Sequence, residues 1–199
     1  MNQPKEKTNQ PKQPKEENPK KKEQKKGADK NELFKECDLR VGLVTKCEIL
    51  QGFDEVYSLL IDIGEESPRV IGTGLRKYVP QEEIANSKVV VFSNLKPKRF
   101  GTDFASNGMI MCASIKEGEK KEVIELIRPN ENAKPGDRVY IEGTPLSNEK
   151  EGQISGGKFG KALENFFTNE ECICQYNGIK MMTNDGPIKV KSLKNAKIS

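Results

Sequence analysis

Three cations within four positions, Lys96, Lys98 and Arg99, are the side chains best equipped for chemistry in this 199-residue chain. They lie in the run Asn94-Leu95-Lys96-Pro97-Lys98-Arg99-Phe100-Gly101, and no acid falls between Lys88 and Thr102. Lys and Arg contact phosphates, and an aromatic such as Phe100 offers a base or ribose a surface to rest on. The same composition would also suit a loop whose cations only keep it soluble. Other chemistry is narrower. The chain has no His, which removes the Ser-His-Asp triad, the Cys-His pair, His-ligated zinc and a His general base. Gly152–Lys158 (GQISGGK) follows phosphate-loop spacing, but Phe159 stands where a Ser or Thr hydroxyl would hold magnesium, and no apolar strand precedes it. A flexible connector fits it better. Cys172 and Cys174 would share one face of a strand, yet a structural zinc needs four ligands, so they read as core thiols. Gly72-Thr73-Gly74 implies only a backbone that turns or is closely approached, and Glu82-Glu83 reads as solvated charge. No catalytic constellation remains. The chain is expected to be a binder and not an enzyme, with no cofactor and no metal.

The elements that position the cationic run are strands. It follows Lys88–Ser93, whose Val89-Val90-Val91-Phe92 suits a buried strand. Residues 38–50 alternate, placing Leu39, Val41, Leu43, Thr45, Cys47 and Ile49 on one face, with Gly42 a bend or bulge. Further strands are expected through Tyr57–Ile63, Arg69–Thr73, Met109–Ile115, Val123–Ile127 and Arg138–Ile141, with a short helix opened by Pro80. Close-spaced strands around one small helix suggest a barrel of the oligonucleotide/oligosaccharide-binding (OB) type; a sandwich is the alternative. A polar, Gly-rich connector follows Gly143. Phe159, Leu163 and Phe166 fall at helical spacing within Lys158–Phe167. Strands at Glu171–Tyr176 and Ile179–Thr183 flank Asn177-Gly178, a strong hairpin signal, and Asn184–Pro187 turns into Ile188–Leu193. This helix and three-strand meander is too small to fold alone comfortably and should pack on the barrel.

Charge is unevenly placed. Residues 1–30 carry ten Lys against five acids and only Met1 and Ala28 as apolar side chains, so they should be disordered. Their surplus of +5 against the chain's +4 leaves residues 31–199 at −1. The segment is either a solvated linker or a flexible arm for polyanions. The amino terminus is polar throughout, so no signal peptide is expected, and no apolar run approaches the roughly 18 residues of a membrane span. Five Cys without an export signal read as reduced thiols of a cytoplasmic protein with no membrane association.

Taken in order, Asp38-Leu39-Arg40-Val41-Gly42, Gly74-Leu75, Val89–Phe92, Asn94–Gly101, Ser106-Asn107-Gly108-Met109 and Pro135-Gly136-Asp137-Arg138-Val139 carry a family resemblance. They resemble the tRNA-binding domain found on some methionyl- and tyrosyl-tRNA synthetases and as free-standing tRNA-binding proteins. Thr168–Cys172, Tyr176–Ile179 and Ala196–Ile198 are similar to the C-terminal extension of endothelial-monocyte-activating polypeptide II and its synthetase-cofactor relatives. With the tail that composition marks as disordered taken as residues 1–32, the resemblance implies an OB barrel at 33–141 and a small α+β extension at 142–199. The extension would pack on the barrel and imitate a second subunit, giving a monomeric pseudo-dimer. It also implies tRNA bound by shape, and one or more aminoacyl-tRNA synthetases as partners. Asn94, Lys96, Lys98 and Arg99 match the family's RNA-facing loop, Ser106 and Met109 its S-x-G-M segment, and Arg40 and Leu75 further motif positions. The chain departs from the pattern in lacking a Met between the basic residues. It also carries Thr102–Ala105, with the acid Asp103, where the family is shorter, and has Gln51–Glu55 in place of a His-Pro-Asp-Ala-type segment. Two other functions compete with the expected tRNA delivery or retention. One is a released cytokine-like polypeptide acting through Arg40–Thr45, and the other a generic single-strand-binding OB protein.

Overall fold

The structure, a computed structural model, describes residues 31–117, 121–144 and 152–199. Helix α1 (Glu32–Lys35) precedes β1 (Leu39–Ile49), β2 (Tyr57–Asp62), β3 (Arg69–Thr73), α2 (Gln81–Ile84) and β4 (Lys88–Phe92). A short hairpin, β5 (Lys98–Phe100) and β6 (Phe104–Ser106), leads to β7 (Met109–Ile110), β8 (Cys112–Glu117), β9 (Lys121–Leu126) and β10 (Tyr140–Ile141). The C-terminal part holds α3 (Gly156–Leu163), β11 (Phe166–Thr168), β12 (Cys174–Tyr176), β13 (Ile179–Thr183), β14 (Gly186–Pro187) and β15 (Lys197–Ile198).

Five strands form a barrel-like sheet in the order β3-β2-β1-β4-β7, every pairing antiparallel. After Met111 the chain passes from β7 into β8 and so into a second sheet, ordered β10-β13-β12-β11-β15-β8-β9. This sheet joins the barrel to the C-terminal part through two pairings, β8 with β15 and β10 with β13. The OB barrel with an α+β extension packed on it is therefore the observed architecture.

β4 is the hinge of the packing. Val89 and Val91 face the barrel interior with Val44, Leu59, Ile61, Ile71 and Ile110. Val90 and Phe92 face the other way, into a larger core shared with Phe166, Tyr176, Met181, Ile188 and Ile198 of the extension. A strand buried on both faces reads as a continuous apolar run, which is why Val89–Phe92 stands out in the sequence. α1, which no sequence signal indicated, locks the two parts from the N-terminal side. Its Phe34 ring lies 5.0 Å from Tyr176 and 6.1 Å from Phe166, while Phe166 and Tyr176 are 4.7 Å apart.

Several expectations are corrected. In β1 the buried face is not the odd-numbered one throughout. Leu43 is half-buried, Thr45 and Ile49 are exposed, and Val44 is buried. The pairing shifts between Val44 and Lys46, so one extra residue resets the alternation and Cys47 returns to the interior. Gly42 is not the bulge: a side chain there would stand 2.5 Å from Ile61 Cγ2, so glycine lets β1 and β2 close on each other. Gly156 and Gly157 are not flexible connector but the first turn of α3, N-capped by Ser155, whose Oγ accepts from Lys158 N. The helix ends at Leu163, and Phe166 belongs to β11. Cys172 sits at φ +61° outside any strand, so it does not share a strand face with Cys174. Residues 188–193 form no strand; they meet the sheet through bridges from Lys189 to Arg128 and Ile173. The Asn177-Gly178 turn is as expected, both residues at positive φ between β12 and β13. The Lys-rich segment 1–30, and most of the connector after Thr144, lie outside the described residues.

If the shared core holds the two parts together, Phe34→Ala should cost about 3–5 kcal/mol. Urea denaturation followed by circular dichroism would measure this, and a loss well below 1 kcal/mol would contradict the role given to α1.

Candidate nucleic-acid interface

The cationic run becomes a supported hairpin. Lys98 pairs with Ser106, Arg99 with Ala105 and Phe100 with Phe104. Beneath it lies an aromatic stack in which Phe100 meets Phe104 and Phe53 edge-on, both at 5.8 Å. The Lys98 ammonium sits 5.1 Å from the Phe100 ring centroid, close enough for a cation–π contact. The stack rests on β3 at Gly72. A Cβ there would approach Phe104 Cε1 to 2.8 Å and Phe100 Cε2 to 3.0 Å. Ser106 pins the same point, its Oγ accepting from Gly72 N at 3.0 Å and donating to the Gly108 carbonyl at 3.0 Å.

Beside the hairpin runs a groove of about 600 Å³. Its lining includes Lys96, Lys98 and Phe100, Thr73 to Leu75 and Met109, and Ile154 and Phe159 of the extension. Lys96, Lys98 and Arg99 are exposed. Among the described residues the Lys96 ammonium has no hydrogen-bond or ion-pair partner. Arg99 donates to the Thr102 carbonyl of its own turn at 3.2 Å.

The other cations near the site are held by the fold. Arg40 reaches Asp38 through Nε, at 3.0 Å, and Nη2, at 2.7 Å, and its side chain is only 14% exposed. Arg138 approaches the same carboxylate at 3.6 Å. Arg69 grips Glu65 at 2.6 and 2.7 Å and donates to the Asn107 carbonyl and to that of Ser93. Burial alone would raise the Asp38 pKa, but the Arg40 hydrogen bond and charge, with Arg138, bring it below the usual carboxylate value. Arg40 is correspondingly shifted up by its bond to Asp38. Cys47 and Cys112 are pushed up by burial, to about 11 and about 12, so neither is a ready thiolate. Among the described residues no group of three or more His, Cys, Asp or Glu is arranged to hold a metal ion.

Of the residues singled out in the sequence, Lys96, Lys98, Arg99, Ser106 and Met109 come together at the hairpin and groove. Asn94 and Arg40 lie at its root with their donors engaged. Asn94 Oδ1 accepts from Asp38 N at 3.0 Å, and its amide donates to the carbonyls of Glu36 at 2.8 Å and Gly152 at 2.7 Å. Leu75 lines the groove, and Asp103 sits in the exposed turn of the hairpin. The sequence reading missed Phe53 and Phe104, which prop the hairpin, and the extension residues Ile154 and Phe159. The first two are lone aromatics in polar segments; only their unusual setting marks them.

The molecule is a small OB-type barrel bearing an exposed cationic hairpin beside a groove, with a C-terminal extension contributing to the groove's lining. Residues 39–138 match the family model described as "Putative tRNA binding domain", and the chain belongs to that family. It is 36% identical over 181 residues to the cytoplasmic tyrosine–tRNA ligase of Xenopus tropicalis, covering 87% of this chain and 34% of that one. It is 32% identical over 141 residues to the mouse aminoacyl tRNA synthase complex-interacting multifunctional protein 1, covering 71% and 44%. The chain thus spans about a third of the length of the ligase it matches. Among solved structures it resembles the C-terminal domain of Plasmodium vivax p43, with a TM-score of 0.76 and 28% identity, covering 83% of this chain and 98% of that one. These matches bear out the family resemblance, extension included. No helix among the described residues is long and apolar enough to cross a membrane.

Two outcomes follow from this geometry. Gly72→Val should lift the hairpin off β3, so that trypsin cleaves after Lys98 or Arg99 several times faster than in the unaltered chain; equal cleavage rates would contradict the support role of Gly72. Asp38→Asn removes the buried carboxylate that both Arg40 and Arg138 approach, leaving Arg40 the more distant Glu65 at 4.0 Å, and should destabilise the fold by about 3 kcal/mol at pH 7. Because the folded Asp38 pKa is lowered, its contribution is present above pH ~4 and is lost as pH falls from there through the folded value. The stability gap between the two proteins should therefore narrow below pH ~4, as read by denaturation at stepped pH.

Proposed function

We propose that this chain is a non-catalytic, shape-selective tRNA-binding protein that delivers or retains tRNA for an aminoacyl-tRNA synthetase in the cytoplasm, in cis or in trans. The observation that carries the reading is the hairpin, which projects exposed Lys96, Lys98 and Arg99 over an aromatic stack in a member of the tRNA-binding-domain family. Phosphates would be met by these cations, with Met109 and Phe100 offering apolar contact at the groove. Asn94, Ser106 and Arg40 would act from behind, fixing the hairpin's root and pitch. The partner class follows from the synthetase and synthetase-complex relatives. We assign residues 33–141 as the RNA-binding unit, 142–199 as the extension that makes a pseudo-dimer of a monomer, and 1–32 as a basic arm that raises encounter rate.

The test is a gel shift with unfractionated tRNA at physiological salt. Lys96→Ala combined with Arg99→Ala should weaken binding at least tenfold with an unchanged thermal melt, and should flatten the salt dependence of the affinity, since fewer counterions are released. Unchanged affinity would sink the assignment. A shape reader should also prefer folded tRNA over an unstructured RNA of equal length, and the reverse preference would favour a generic single-strand binder.

A further inference from the structure

The second sheet carries a row of side chains that the hairpin reading does not use. Direct cross-strand partners place their side chains on the same face. Following the pairings from β13 to β9 gives Lys180 opposite Gln175, Gln175 opposite Phe167, Phe167 opposite Lys197, Lys197 opposite Ser114, and Ser114 opposite Ile124. The alternate residues Phe166, Thr168, Cys174 and Tyr176 are buried, so this row is on the outer face. At one end Ser114 and Ile124 line the 600 Å³ groove. In the middle Phe167 is 41% exposed, a large aromatic left in solvent between Lys197 and Gln175. Among the described strand residues of this face the one acid is Glu122, at the groove end, where it pairs with Lys116. Strands lie roughly 4.8 Å apart, so Phe167 is roughly 10 Å from Ser114 and the whole row spans roughly 24 Å.

An exposed ring between a lysine and an amide, with a second lysine beyond and almost no acid, matches one kind of ligand. It suits an unpaired stretch of RNA, whose bases stack on an aromatic while its phosphates meet Lys. A base inside a helix is stacked on both sides and has no free face to offer. We propose that the outer face of the second sheet is a single-strand subsite, in which Phe167 stacks an unpaired base and Lys197 and Lys180 hold its flanking phosphates. It extends the groove from the cationic hairpin onto the extension. This rests on the tRNA-binding reading and assigns the extension a direct part in it. The surface is built by pairing of β11 with β15 and of β15 with β8, so it exists only when the extension is docked.

The chain has no Trp, so Phe167→Trp keeps an aromatic platform and installs a single Trp fluorophore at the site. Its emission should be quenched by unfractionated tRNA, at the concentration that half-saturates the gel shift, and far less by a long RNA duplex at the same nucleotide concentration, whose free base faces are confined to its two ends. Phe167→Leu, which keeps an apolar side chain but no ring, should bind tRNA about tenfold more weakly, and Phe167→Trp should restore the affinity. Lys197→Ala should lower the slope of log affinity against log salt by a little under one. Binding of tRNA at unchanged affinity by Phe167→Leu, with no quenching in Phe167→Trp, would overturn this subsite alone. Failure of the unaltered chain to bind tRNA would remove the parent reading and this one with it.

Discussion

Burial of β4 on both faces is the constraint from which the rest of the molecule follows. A strand with Val89 and Val91 in one core and Val90 and Phe92 in another has no solvent side. The barrel cannot therefore be complete without something to cover Val90 and Phe92, and the extension is that cover. Phe159 meets Phe92 edge-on at 5.2 Å, and the same Phe159 forms part of the groove wall. The groove thus inherits its shape from the packing of two sheets. The cationic run begins as soon as β4 ends, with Asn94 fastening the exit to Glu36, Asp38 and Gly152. One amide side chain gathers the segment before the barrel, the loop and the start of the extension.

The cations divide by chemistry. Five of the six arginines are engaged within the fold: Arg40 and Arg138 on Asp38, Arg69 on Glu65, Arg76 on the Asp54 carbonyl, and Arg128 on Ser87, Lys88 and Glu83, while the exposed Arg99 donates only to its own turn. A planar guanidinium with several fixed donors suits such struts. The lysines of the hairpin and of the second sheet's outer face are left to solvent or rest on a ring, as compact charges on flexible stems. The fold spends directional donors on holding itself and leaves mobile charge for an irregular polyanion.

The elements legible in the sequence were those whose signal is local. Val89–Phe92, the Asn177-Gly178 turn and the Pro80 helix start each state their structure within a few residues. The cationic run was equally plain, and the ordered motifs from Asp38 to Val139 were enough to place the family. What escaped depends on contacts between distant segments. Alternation in β1 could not show that Leu39 and Val41 would be covered from outside, so the odd residues looked like a single buried face. Phe53, Phe104 and Gly72 become a platform only when β3, the hairpin and the preceding turn converge. Gly156-Gly157 read as loose chain because its composition is that of a linker. A side-chain cap from Ser155, and Ile154 docking beside Asn94 through a 3.0 Å hydrogen bond, overrule that composition.

The irregularity between Val44 and Lys46 reaches beyond local geometry. Before it, β1 aims even-numbered residues into the barrel; after it, odd-numbered ones. A uniform strand can slide along its neighbours by two residues and keep its apolar side inward. A strand whose phase reverses partway has no such second fit, because any slide breaks the match on one side of the reversal. The extra residue works as a vernier mark between β1 and β2. It leaves a single alignment in which both halves agree, and so excludes the near-native misalignments to which long antiparallel strands are otherwise prone.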